Sequence, residues 1–114
     1  MPRDPAATLL DIRDAARSAV DFARGMSRET FMADRRTQKA IIYDIQTVGE
    51  AVKRLPDAFR LEHPKIPWAL AAGMRDKLVH DYDQVNLDRV WQVAIHDLPK
   101  LLKQLEPLMP QPEE

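Results

Sequence analysis

The chain has 114 residues, enough for one domain and too few for two ordinary ones. At 45% apolar and 31% charged it is globular rather than disordered, and a net charge of -1 lacks the bulk positive field of proteins that hold long nucleic acid by electrostatics alone. With no cysteine there can be no disulfide, thiolate nucleophile or cysteine-bound zinc, which suits a cytoplasmic protein.

Asp4-Pro5 opens the first helix, as an N-cap residue followed by a proline at the first helical position. Leu9, Ile12, Ala16, Ala19, Val20 and Ala23 recur at three and four, so one apolar stripe runs to about Arg24, where Gly25 ends it. Asp11, Arg13, Asp14 and Arg17 interrupt this segment, unlike the apolar region of a signal peptide. Elsewhere no run approaches the roughly 18 apolar residues of a membrane span. "GMSRETFMADRR" is a connector with a short turn around Phe31. The next helix runs from about Asp34, buries Ala40, Ile41, Ile45, Val48, Val52 and Leu55, and stops at Pro56.

"PDAFRLEHPKIP" reads as irregular chain or a short turn, and Pro67 then starts a helix through Trp68, Leu70, Ala71, Met74, Leu78 and Val79. Asn86 caps the last helix, whose face is Val90, Trp91, Ala94, Ile95, Leu98, Leu101, Leu102 and Leu105, with a kink expected at Pro99. The expected fold is all-α, an antiparallel four-helix bundle with one short extra turn, as a single domain over residues 1–108 and a tail over 109–114. Ile41, Ile42, Ile45 and Val48 together look broader than one face requires, and self-association is the expected way to cover the surplus.

"WALAAGMRDKLVHDYDQV", residues 68–85, sets Arg75, His80 and Tyr82 within eight positions at a helix end. At about 100° per residue Arg75 and Tyr82 share a face while His80 lies about 140° from Arg75. One ideal helix therefore cannot converge all three on a small group. Unwinding near Asp81, or a second copy of the helix across a two-fold axis, would allow it. By spacing alone, the simpler reading is that these residues solubilise and cap a helix end, where a histidine favours the dipole. His63 and His96 read as surface or packing residues, Trp68 and Trp91 as core, and Arg35, Arg36 and Lys39 as a solvated helix start.

"RDKLVHDY" fits Arg-x4-His-x-Tyr, and with "VGEAVKRLP", "IPWALAAGMRDKLVHDYDQVN" and "VWQVAIHDLPKLLKQL" in this order the chain resembles the HepT toxin family of the HEPN superfamily of helical ribonucleases. The resemblance covers most of Leu9 to Leu105. It departs at Asp76, where such proteins often carry asparagine. It implies a HEPN-like bundle acting as a metal-independent endoribonuclease without cofactors. In it the RNA 2′-hydroxyl attacks the adjacent phosphate and transfer RNA is the family-level substrate. Arg75 would then clamp the phosphate and His80 would move the proton, because a fork of permanent positive charge and a group titrating near neutrality suit those tasks. Asp76 would support them, and Lys53, Arg54 and Lys77 would contact RNA. The resemblance further implies a homodimer and an MntA-like nucleotidyltransferase antitoxin that adds AMP to Tyr82, placing bulk and negative charge where RNA phosphate must bind. The rival reading is a non-catalytic helical module that binds nucleotides or a partner.

Overall fold

A computed structural model describes residues 4–78 and 85–110, without the side chains of residues 75–78. In chain order the helices are α1 (Pro5–Ala23), α2 (Arg28–Met32), α3 (Arg35–Arg54), α4 (Asp57–Glu62), α5 (Trp68–Leu78), α6 (Leu87–Gln92) and α7 (Leu98–Leu105). A π-helical turn at Val93–Asp97 joins α6 to α7, and a 3-10 turn follows at Glu106–Leu108. The described chain is all-α and builds a HEPN-like helical bundle.

Local chemistry sets most boundaries. The Asp4 carboxylate accepts from the Ala6 N–H at 3.0 Å, and Pro5 follows it. Gly25 takes a φ of 78°, a left-handed turn that releases the chain from α1. The short turn expected around Phe31 is a helix with a reciprocal Ser27–Thr30 cap. Asp34 caps α3 by accepting from the Thr37 N–H at 3.1 Å and from its hydroxyl at 2.8 Å, and these bonds hold its carboxyl below the usual range. The segment expected to be irregular contains α4, begun by Pro56 and ended before Pro64.

Isolated helices of these lengths are marginal in water, so packing decides the fold. α1 lies antiparallel against α3, and α3 carries α5 on its other flank; α7 and the π turn close over α1. Ile12, Phe31, Ile41, Ile45, Val48, Val52, Leu55, Val90, Leu98 and Leu105 are fully buried. Trp68 and Trp91 belong to this core, as their periodicity predicts. The surplus apolar face expected on α3 is not there. Ile41, Ile45 and Val48 are covered by the chain's own helices, and Ile42 is half-buried. One helix face was too narrow a measure, because α3 is flanked on two sides. Among the described residues the exposed large apolar side chains are instead Phe22, Tyr43, Leu61, Leu70, Val85 and Ile95.

The kink expected at Pro99 takes a particular form. Proline has no N–H for the carbonyl four residues back, and its ring crowds that carbonyl. One turn earlier the helix widens, and the Leu98 N–H reaches the Val93 carbonyl five residues back. The wider turn keeps both Val93 and Leu98 in the core.

Candidate active site

α5 carries Arg75, the first residue of the Arg-x4-His-x-Tyr stretch, and its position is fixed by the residues before it. Trp68, Ala71 and Met74 are buried, spaced three apart so that they fall along the bundle-facing side. The Trp68 indole N–H donates to the His63 carbonyl at 3.0 Å, and its ring lies 6.2 Å from Phe59. Pro67 precedes this anchor and starts the helix without leaving an unpaired N–H.

Arg75, Asp76 and Lys77 lie in the last described turn of α5; their side chains, and all of His80 and Tyr82, lie outside the described residues. The described structure fixes the chain before and after these residues. Upstream, Met74 is buried. Downstream, Asn86 caps α6 by accepting from the Arg89 N–H at 3.0 Å, and Trp91 packs on Phe31 with ring centroids 5.1 Å apart. The outward side of α5 is open: a side chain at Gly73 would meet nothing within 4 Å, and Ala69 and Leu70 are exposed.

Lys53 and Arg54 end α3 and are both exposed. The Arg54 guanidinium stands 4.0 Å from the Asp11 carboxylate on α1, so it faces that helix. Lys53 lies about 100° further round α3, away from α1. His63 is half-buried against Phe59, with centroids 4.7 Å apart, and His96 is exposed. Glu50 is exposed beside the buried Gly49. Among the described residues no group of three His, Cys, Asp or Glu side chains converges. None of the described helices is long and apolar enough to cross a membrane.

A buried carboxylate that the sequence reading passed over sits between α1 and α3. Asp44 is 9% exposed, and its Oδ2 has no hydrogen-bond partner. Burial pushes its carboxyl above the usual range, and a hydrogen bond from the Ser18 side chain only partly offsets that. The signal in the sequence was an acidic residue directly beside Ile45 in the apolar stripe.

Comparison with known proteins bears on what the α5 stretch does. The family model described as "Ribonuclease HepT-like" matches residues 12–108. The chain is 37% identical over 110 residues to a Methanocaldococcus jannaschii protein named "Putative RNase MJ0127", covering 96% of this chain and 91% of the relative. It is 39% identical over 100 residues to "Probable ribonuclease HepT" of Thermococcus cleftensis, covering 88% and 91%. A third relative, "Putative RNase TTE0752" of Caldanaerobacter subterraneus subsp. tengcongensis, is 39% identical over 90 residues, covering 79% and 80%. No solved structure matches the chain. A match over nearly the whole helical bundle, with the Arg75–Tyr82 motif inside the matched residues, shows that this chain belongs to the HepT-like ribonuclease family.

Proposed function

We propose that the protein is the toxin of a toxin–antitoxin pair, a metal-independent endoribonuclease whose site is Arg75 and His80. The observation that carries this reading is the Arg-x4-His-x-Tyr stretch, which starts at Arg75 of an anchored α5, within a chain that matches the HepT-like ribonuclease family over residues 12–108. In the proposed reaction the 2′-oxygen of RNA attacks the adjacent phosphorus. Its proton is taken up, the bond to the 5′-oxygen breaks, and that oxygen leaves protonated. A 2′,3′-cyclic phosphate and a free 5′-hydroxyl result. His80 moves a proton, and the Arg75 guanidinium holds the phosphate oxygens as charge builds on them. Asp76 supports the pair. Lys53, Arg54 and Lys77 are proposed RNA contacts, and DNA, without the 2′-hydroxyl, is not cut.

Assembly as a homodimer fits the open outward side of α5 at Ala69, Leu70 and Gly73, where a second copy can approach closely and bring two motifs to one cleft. Transfer RNA is the proposed substrate. Neutralisation is proposed to be AMP transfer by a nucleotidyltransferase antitoxin, the Tyr82 oxygen attacking the α-phosphorus of ATP with loss of pyrophosphate. The deciding experiment incubates the purified protein and its Arg75→Ala and His80→Ala variants with total RNA in EDTA. Cleavage by the wild type that both variants lose supports the enzyme. An inert wild type sinks it in favour of a binding module.

A further inference from the structure

A cavity of about 290 Å³ opens between the α4–α5 connection and the 3-10 turn after α7. Both of its walls are stiff for local reasons. In the connection Pro64 and Pro67 restrict the backbone, and the His63 carbonyl accepts from the Ile66 N–H at 3.3 Å and from the Trp68 indole at 3.0 Å. Ile66 and Trp68 are buried, and the His63 ring lies 4.7 Å from that of Phe59. Opposite them, the buried Leu101 and Leu105 pin α7. Pro107 shapes the turn, which closes with the Met109 N–H on the Glu106 carbonyl at 3.2 Å. A concave site built this way is formed before any ligand arrives.

Polar side chains from both walls converge on this space: Glu62, His63 and Lys65 from the connection and Gln104 from the last turn of α7. None of them makes a side-chain hydrogen bond or ion pair with another described residue. Gln104 is half-buried, and its Oε1 is shut off from water without a hydrogen-bond partner. That acceptor has given up its water and gained nothing from the protein in return. Because no bond holds the amide where it is, turning it toward a ligand breaks none. Pro64, Ile66, Pro107 and Leu108 complete the lining with apolar surface.

These groups match the parts of one nucleotide. His63 has Phe59 on one side and can stack a base on the other, as histidine rings do with unpaired RNA bases. The Gln104 amide, both donor and acceptor, suits the edge of a base. Lys65 can meet a phosphate, and the Glu62 carboxylate can accept from ribose hydroxyls. One ammonium against one carboxylate leaves the lining near neutral, which suits a single phosphate and disfavours a triphosphate. Volume sets the same limit. Ligand pockets span about 300–1,000 Å³, and this one, at the small end, has room for one nucleotide and not two. We infer that the cavity binds a single nucleotide, free or as one unit of an RNA strand, with Gln104 on the base and Lys65 on the phosphate. The choice of a nucleotide over another small polar ligand rests on the ribonuclease reading above.

The test titrates the full-length, 15N-labelled protein with adenosine 3′-monophosphate, adenosine, inorganic phosphate and a short 2′-O-methyl RNA that cannot be cut, followed by NMR. Saturable shifts are expected at the Lys65 and Ile66 amides and at the Gln104 side-chain amide. Gln104→Leu should weaken nucleotide binding about tenfold, the loss of one well-made hydrogen bond, without lowering the melting temperature, since it removes the orphaned acceptor. Lys65→Gln should bring the nucleotide down to the affinity of adenosine. Lys100→Gln, exposed on α7 outside the cavity, should bind as the wild type does. Shifts with the monophosphate support a pocket for free nucleotide, and shifts with the RNA alone support a subsite for one unit of a strand. Absence of shifts with both would overturn the inference. So would inorganic phosphate binding as well as the nucleotide, or unchanged affinity in both cavity variants. Cleavage of total RNA is read alongside. A wild type that cuts RNA but shows no shifts loses the nucleotide pocket and keeps the ribonuclease; one that shows the shifts and cuts nothing keeps the pocket and loses the ribonuclease reading.

Discussion

Phe31 on α2 and Trp91 on α6 face each other with ring centroids 5.1 Å apart and planes tilted by 33°. Sixty residues of chain separate them, and the pair ties the connector after α1 to the helix that follows the motif. The adjoining Arg28–Asp88 ion pair repeats the link at the surface, where such a pair adds little. Phe31 is completely buried, so Phe31→Ala should leave a cavity and cost about 3–5 kcal/mol. Urea denaturation checks the value. A loss under about 1 kcal/mol would mean that the site collapses and that the ring does not organise this end of the bundle.

Gln38 links the same region to α3. Its side-chain amide donates to the Phe31 carbonyl at 2.9 Å and to the Met32 carbonyl at 3.0 Å, satisfying the end of a helix only five residues long. Gln38→Leu keeps the volume and strands the Met32 carbonyl, while the Phe31 carbonyl keeps the Asp34 N–H, and a loss of about 1–2 kcal/mol is expected. The faster amide hydrogen exchange that accompanies it should be confined to α2.

Asp44 predicts a pH dependence. Its folded carboxyl titrates above the ordinary carboxylate range because burial disfavours the charged form. The folded state therefore binds the proton more tightly than the unfolded chain. The group's contribution to stability is full below the unfolded value and falls away as pH rises through the raised one. Asp44→Asn removes the charge at similar shape. At pH 7 the variant should be more stable than wild type by about 1 kcal/mol, and the gap should close on acidification into the ordinary carboxylate range. Parallel melts at several pH values decide it. A variant less stable than wild type at pH 7 would show that the carboxylate is better satisfied than its orphaned Oδ2 implies.

Tyr82→Phe separates acceptor from catalyst. The proposed reaction uses Arg75 and His80, so the variant should keep most of its RNA cleavage. Loss of the phenolic oxygen should leave it deaf to an AMP-transferring partner with ATP, and mass spectrometry should find no added AMP. Silencing of the variant as complete as that of the wild type would remove Tyr82 from the acceptor role.

The helices themselves were legible from local rules. Asp4-Pro5, Asp34, Pro67 and Asn86 start helices at the positions their chemistry dictates, and stripes of period three and four named most of the core. The motif was legible too, since its residue types and order are carried by the chain alone. What period could not tell was how many neighbours a helix has. α3 lies between α1 and α5, so Ile41, Ile45 and Val48 are consumed inside the chain, and a buried Asp44 appears where two helices close on it. Nor could spacing say that Pro99 would be accommodated by a π turn, since that depends on keeping Val93 and Leu98 together in the core.

Sequence by itself determined which segments become helices and which side chains are candidates for the chemistry, because capping, proline geometry and apolar periodicity act over a few residues. Only the tertiary structure decided which flank of α3 meets α1, and so that Asp44 is buried beside Ser18. Contacts between residues far apart in the chain arise from packing, and packing is a property of all the helices at once.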